Sequence, residues 1–360
     1  MSFPMRRSVV PLFDSSTRAY CSPRMFSTAS ALLHRVASPT IPSTSIKIFR
    51  DVPALRQWRR KQLIDYRTVG LVPTMGALHE GHLSLIRLAA AENSNVIVSI
   101  YVNPTQFGVH EDLDSYPKTW EKDCKMLKDL DMELADNGNM GKIAAVFAPT
   151  SDTMYPSGPP SQEVKAKGSF VTITPVGELL EGASRPTFFR GVATVCMKLF
   201  NIVMPEKDFC MDTKVVIGDT QREHDGLALS SRNVYLGKRR RNIATALFKV
   251  LKVAEQGYKF GHRSRDELLG PALELAKLLL MEQYQLKPEE RVRFEVDYIS
   301  LADPMTMEEI QEVDETKGAI LSGAIKMLPV EAPQPGEDLG LSDGPPVRLI
   351  DNIILKPVKL

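Results

Sequence analysis

The chain has 360 residues, 43% hydrophobic and 25% charged, enough to bury one or two substantial cores in an ordinary globular protein. With 45 Lys and Arg against 44 Asp and Glu the net charge is +1, which removes the compositional case for a nucleic-acid partner. The longest apolar runs, such as Ile143-Ala144-Ala145-Val146-Phe147-Ala148, fall far short of the roughly 20 residues a bilayer requires, and Cys21, Cys124, Cys196 and Cys210 lack metal-site spacing and read as reduced structural thiols.

Residues 1–45 read as a leader. Arg6, Arg7, Arg18, Arg24, Arg35 and, just beyond, Lys47 face Asp14 alone amid many Ser and Thr, the composition of a mitochondrial transit peptide; the alternative is a disordered leader with no address. Arg18-Ala19-Tyr20 looks like an arginine-guided matrix-protease signal. Next, 45–49 predicts a short strand and 51–62 a capped helix with Pro53 near its start. A strand at 69–72 gives way to a helix with apolar residues at i, i+3 and i+4 spacing from Leu83 to Ala90. Asn95-Val96-Ile97-Val98-Ser99-Ile100-Tyr101 is a buried β-branched strand, 120–130 a helix, and 146–148 a further strand. This alternation predicts an α/β fold, a Rossmann-like parallel sheet with helices on both faces and its ligand crevice beyond the carboxyl ends of the strands.

Residues 150–167 and 180–190 read as loops, and 191–203 as a strongly apolar helix. After Asp225 the pattern changes to long helices at 238–258 and 264–283, then strands at 291–299, 319–324 and 348–354. These predict a smaller C-terminal α+β domain, with 329–346 as a mobile loop. The resulting domains are 1–45, 46–222 and 223–360.

The most informative stretch is Pro73-Thr74-Met75-Gly76-Ala77-Leu78-His79-Glu80-Gly81-His82, two histidines and two glycines where a buried strand meets a helix. A helix N-terminus favours anions, and Gly76 and Gly81 would let a phosphate chain approach the backbone. His79 and His82, at i and i+3, face the same side and can both donate to phosphate oxygens as charge develops in nucleotidyl transfer. Alone, His-x-x-His would fit a core pair or a metal site equally well.

His-x-Gly-His after a strand resembles the signature of the nucleotidylyltransferase superfamily, and the longer string resembles the pantothenate synthetase (pantoate–β-alanine ligase) family. Tyr101-Val102-Asn103-Pro104-Thr105-Gln106-Phe107, Glu111-Asp112-Leu113-Asp114-Ser115-Tyr116-Pro117, Phe189-Arg190-Gly191-Val192-Ala193-Thr194-Val195 and Asp225-Gly226-Leu227-Ala228-Leu229-Ser230-Ser231-Arg232-Asn233 follow in family order. The resemblance implies condensation of pantoate with β-alanine through a pantoyl adenylate, with ATP as substrate and Mg2+ carried on it, in a homodimer. It places His79 and His82 as catalytic, and Met75, Gly76, Gly81, Leu229, Ser230, Ser231 and Arg232 beside them at ATP. Gln106, Asn103 and Phe107 would meet pantoate and β-alanine. Arg185 and Arg190 read equally as ligand-directed or solvated.

The chain departs from the family after Pro205-Glu206. A strand, Phe-Gly-x-Lys-Asp-x-Gln-Gln and most of a helix are missing, roughly twenty residues, and Asp212-Thr213-Lys214-Val215-Val216-Ile217-Gly218 already resembles the strand beyond. Lys207-Asp208 lacks the flanking Gly and Gln-Gln and is not the nucleotide-binding pair. The missing lysine and glutamine predict badly impaired adenylation. A truncated transcript or gene model competes with a chain that has lost activity; the intact remaining motifs favour the former. Phe188 stands where many family members have His, and takes no role. Two further readings are a dinucleotide-forming nucleotidylyltransferase and a dead subunit that dimerises with an active one.

Overall fold

The computed structural model describes residues 39–108, 111–138, 140–163, 165, 168–204 and 214–358. Residues 1–38 of the leader, Cys21 among them, Lys207-Asp208 and Cys210 lie outside these; of the leader's last residues Ile41 is buried in the core. The first half builds β1 (Lys47–Phe49), α1 (Val52–Ile64), β2 (Val69–Thr74), α2 (Glu80–Glu92), β3 (Asn95–Ile100), α3 (Trp120–Asp136) and β4 (Lys142–Phe147). The four strands pair in parallel in the order β1-β4-β3-β2. Alternation along β3 decides which helix covers which face: Val96 and Val98 pack with Leu83, Ile86 and Leu127 of α2 and α3. Ile97 points the other way, to Leu55 of α1 and to Leu199 and Val203. Helices therefore cover both faces, as the alternating pattern predicts.

Asp51 caps α1 by accepting from the Ala54 amide at 2.8 Å. The loop expected at 150–167 contains the short helix α4 (Ser151–Met154), and that at 180–190 contains α5 (Glu181–Ser184) and the start of α6 (Phe188–Val203). Buried Arg59 of α1 donates from Nε to the Val203 carbonyl at 3.1 Å, holding the end of α6 against the sheet.

The smaller C-terminal domain comprises α7 (Gly237–Ile243), α8 (Ala246–Lys259), α9 (Arg265–Gln285) and the antiparallel sheet of β5 (Phe294–Ala302), β6 (Ala319–Met327) and β7 (Val347–Leu355), ordered β5-β6-β7. Leu247, Leu251, Leu268, Leu321 and Leu349 are part of its core. Ser264 and Glu267 form a capping box that starts α9.

Three expectations need correction. The helix expected over 238–258 is interrupted at Ala244 and Thr245, although both keep right-handed helical backbone. The loop at 329–346, expected to be mobile, is pinned by Arg239–Glu337 and Arg291–Glu331 ion pairs and by the fully buried guanidinium of Arg240. Arg240 donates to the carbonyls of Tyr235, Leu236, Leu339 and Pro345, so one charge gathers both sides of the loop and the turn before α7. Finally, residues 214–218 form no strand. Val215 and Ile217 are 72% and 85% exposed, and Lys214 pairs with Glu92 at 2.8 Å. The outer edge of β2 pairs with no described strand.

Candidate active site

β2 ends at Thr74, whose hydroxyl donates to the Ser99 carbonyl at 2.7 Å and accepts from the Gly76 amide at 3.1 Å. The chain then reverses through Gly76 (φ 82°) and Ala77 (φ 49°), successive positive-φ positions of which only the first is easy for its residue type. Their turn aims the amides of Ala77 and Leu78 at the carboxylate of Asp123, at 3.0 and 2.9 Å. Sequence reasoning expected a phosphate chain to approach the backbone at Gly76. The structure fills the turn after it with a side chain of α3. Met75 is half-buried at the strand end.

His79 is the N-cap of α2, and its Nδ1 accepts from the Gly81 amide at 3.2 Å. A Cβ on Gly81 would lie 2.9 Å from the imidazole, which explains why glycine separates the two histidines. With Nδ1 accepting, the neutral ring carries its proton on Nε2, where it can donate to a ligand. The His82 ring lies 4.1 Å from that of His79, centroid to centroid, tilted by 41°. Its Nδ1 is buried without a hydrogen-bond partner among the described residues. Burial lowers the pKa of His79, and burial followed by proximity to His79 pushes that of His82 down to about 4. Two neutral imidazoles thus stand side by side at the head of α2, ready to gain from a nearby anion.

This has a measurable cost in acid. An unfolded His82 would titrate near 6.5 and the folded one near 4, so the unfolded chain takes up the proton first. Stability is therefore lost as pH falls from 6.5 towards 4. His82→Gln should reduce the loss between pH 7 and pH 4, read from urea midpoints, by about 2–3 kcal/mol.

Ser230 caps the short 3-10 turn Ser231–Tyr235, accepting from the Arg232 amide at 3.2 Å. Ser231 donates to the Ala77 carbonyl at 3.2 Å, which docks this segment on the histidine turn. Leu229 is tied back to the Gln221 carbonyl at 2.9 Å. Arg232, expected to clamp phosphates, instead holds Asp112 through Nε and Nη2 at 2.9 and 2.7 Å, over Phe107 and Tyr116. Its Nη1 has no partner among the described residues.

At the carboxyl end of β3, Asn103 is buried, and its side chain donates to Gln106 Oε1 at 3.0 Å and to the Gly191 carbonyl at 3.2 Å. Its own oxygen accepts from Thr105 and Tyr155. With every polar atom committed, Asn103 orients Gln106. Phe107 is buried edge-on against Tyr116 at 5.7 Å. A cavity of about 220 Å³ opens beside Gln106, lined also by Gly108, Glu111, Gln162, Arg185 and Phe188, while the histidines lie outside its lining. Arg185 bonds Glu111, Glu181 and the Gln106 carbonyl and covers the Phe188 ring at 4.0 Å, so it is neither solvated nor free. Arg190 donates to the Ser161 and Glu163 carbonyls.

Asp112, Asp123 and Glu111 were not singled out from sequence as site partners, because each meets its partner across 45 or more positions. Among the described residues no group of three His, Cys, Asp or Glu is placed to hold a metal ion, and no helix is long and apolar enough to cross a membrane.

A doubly wound sheet with His-x-Gly-His capping the helix after one of its strands defines a nucleotide-binding α/β protein. The profile of the pantoate-beta-alanine ligase family matches residues 47–209 and 206–354, two stretches that share 206–209. The pantoate–beta-alanine ligase of Saccharomyces cerevisiae is 37% identical over 339 residues, covering 86% of this chain and 100% of its own. The pantothenate synthetase of Roseiflexus castenholzii is 37% identical, covering 85% and 99%. The crystal structure of the Thermus thermophilus pantothenate synthetase superposes with a TM-score of 0.64 at 30% identity, over 87% of this chain and 100% of that one. The Francisella tularensis pantoate-beta-alanine ligase, complexed with beta-gamma ATP and beta-alanine, gives 0.55 at 26% identity over 86% and 97%. The chain belongs to the pantoate–β-alanine ligase family.

Proposed function

We propose that the chain condenses pantoate with β-alanine at the expense of ATP. The pantoate carboxylate attacks the α-phosphate and pyrophosphate leaves; the β-alanine amine then attacks the acyl carbon of pantoyl adenylate and AMP leaves. The observation that carries this reading is the pair of imidazoles of His79 and His82, 4.1 Å apart at the head of α2, against which Ser231 is docked through Ala77. Both rings can donate to phosphate oxygens as negative charge builds, and Ser230, Ser231 and the open Nη1 of Arg232 supply further donors. Gln106, oriented by Asn103, faces the small cavity and is suited to hold pantoate and then β-alanine. None of these groups serves as a nucleophile, so catalysis rests on positioning and electrostatics.

Met75, Gly76, Gly81 and Leu229 complete the nucleotide surface in this reading, and Phe107 backs the acid site. The region after 222 closes over ATP and excludes water from the adenylate. Mg2+ enters on the nucleotide as part of the substrate. Family resemblance supports a homodimer, and the arginine-rich leader supports a mitochondrial address.

The test is pyrophosphate release from ATP. Release that requires pantoate, with pantothenate formed once β-alanine is added, supports the proposal. Release independent of pantoate favours a dinucleotide-forming transferase. A second reading, a subunit impaired in adenylation, is favoured by the edge of β2 that pairs with no described strand and by the division of the family match into two stretches that overlap at 206–209. It predicts ATP binding without turnover.

A further inference from the structure

Asp123 lies 46 residues from the strained turn it serves. Its side chain belongs to α3 and is 1% exposed. Oδ2 accepts from the Ala77 amide, and Oδ1 accepts from the Leu78 amide and from the Thr119 hydroxyl at 3.0 Å. Two consecutive amides turned the same way by positive-φ residues form an anion-binding concavity, and here the anion is the protein's own carboxylate. Among the described residues no cation pairs with it, so these three donors hold the charge. Gly76 fits the arrangement closely: a Cβ there would stand 3.1 Å from Asp123 Oδ2 and 3.2 Å from Ile100.

From Gly76–Leu78 the chain passes directly into His79, whose ring in turn sits over Gly81 and against His82. We infer that Asp123 is a positioning residue for nucleotide binding: its buried carboxylate fills the glycine turn, fixes Ala77 and Leu78 in place, and thereby sets the direction from which His79 and His82 meet phosphate. The inference rests on the reading that these histidines grip ATP. Phosphate is left to the imidazoles, with the turn already satisfied before any ligand arrives. The Ala77 carbonyl is set by the same turn and receives Ser231, so both sides of the nucleotide site share this one anchor.

Asn is nearly isosteric with Asp but cannot accept at both oxygens, so Asp123→Asn would leave one turn amide facing an NH2 group. The control is Leu127→Ala, which opens the core on the same helix and removes none of the hydrogen bonds at Asp123. Three measurements on the full chain decide the matter: ATP affinity by calorimetry, thermal midpoint, and NMR of the His79 and His82 imidazoles, assigned with His→Gln variants. Asp123→Asn should weaken ATP by between about ten- and a hundredfold and move both imidazole signals. Leu127→Ala should lower the thermal midpoint while leaving affinity and imidazoles in place. Thr119→Val, a milder loss at Oδ1, should give the same imidazole displacement at smaller size, and serves if Asp123→Asn does not fold. Imidazole signals unmoved in the folded Asp123 or Thr119 variant, or affinity that merely follows thermal midpoint across all variants, would overturn the inference. The joint His79→Ala, His82→Ala variant separates the layers: ATP affinity unchanged there sinks the histidine reading itself, whereas loss there with normal binding in Asp123→Asn sinks this inference alone.

Discussion

Substituting His82 by alanine is expected to slow pantoate-dependent pyrophosphate formation by about 10²–10³-fold, the usual loss when one pre-placed donor to a developing oxyanion is removed. The magnitude follows from how the ring is held. It is half-buried with its Nδ1 shielded from solvent, its pKa is depressed to about 4, and it stands 4.1 Å from a second imidazole. Little reorganisation is needed when charge develops beside it. His79→Ala should cost a similar factor and also remove the acceptor for the Gly81 amide, so the start of α2 should fray in addition. Single-turnover adenylate formation at saturating ATP checks both. A rate within threefold of the parent for either variant would exclude that ring from transition-state stabilisation.

The other large effect concerns the segment that the family resemblance implies is missing after Glu206. A version in which the family's roughly twenty-residue strand and helix are restored between Glu206 and Lys207 is expected to form adenylate about 10³-fold faster or more. The insert would return a phosphate-neutralising lysine and a glutamine facing Gln106, and would give β2 a neighbour. The same version should show a higher thermal midpoint, because Val215 and Ile217, now 72% and 85% exposed, would gain a strand to pair with. Equal rates in the two versions would mean that the missing side chains are dispensable. Sequencing the transcript across codons 204–212 tells which version the cell makes.

Period and turn chemistry made most of the fold legible before any coordinates. The β-branched run at 95–100 became the central strand, and apolar spacing after His82 became the buried face of α2. The helix expected from Ser264 became α9, which the structure starts with the Ser264–Glu267 capping box. What stayed hidden depended on contacts between distant positions. The loop at 329–346 carries Pro, Gly and acidic residues, which looks mobile until Arg239, Arg240 and Arg291 are found to hold it. Arg232 looked like an open phosphate clamp because nothing in Ser-Ser-Arg-Asn reveals Asp112, 120 residues earlier, as its partner. The turn at Gly76 was readable as an anion cradle; that Asp123 fills it was not.

The pinned loop makes a natural place to attach a reporter. Its anchors fall at Glu331, Glu337 and Leu339, and between them Gly336 has no atom within 4 Å of where a side chain would begin. A fluorophore there would ride on the antiparallel sheet without touching either histidine. Paired with a second dye at the exposed Tyr66, beside the parallel sheet, it would report through energy transfer whether nucleotide moves one sheet relative to the other.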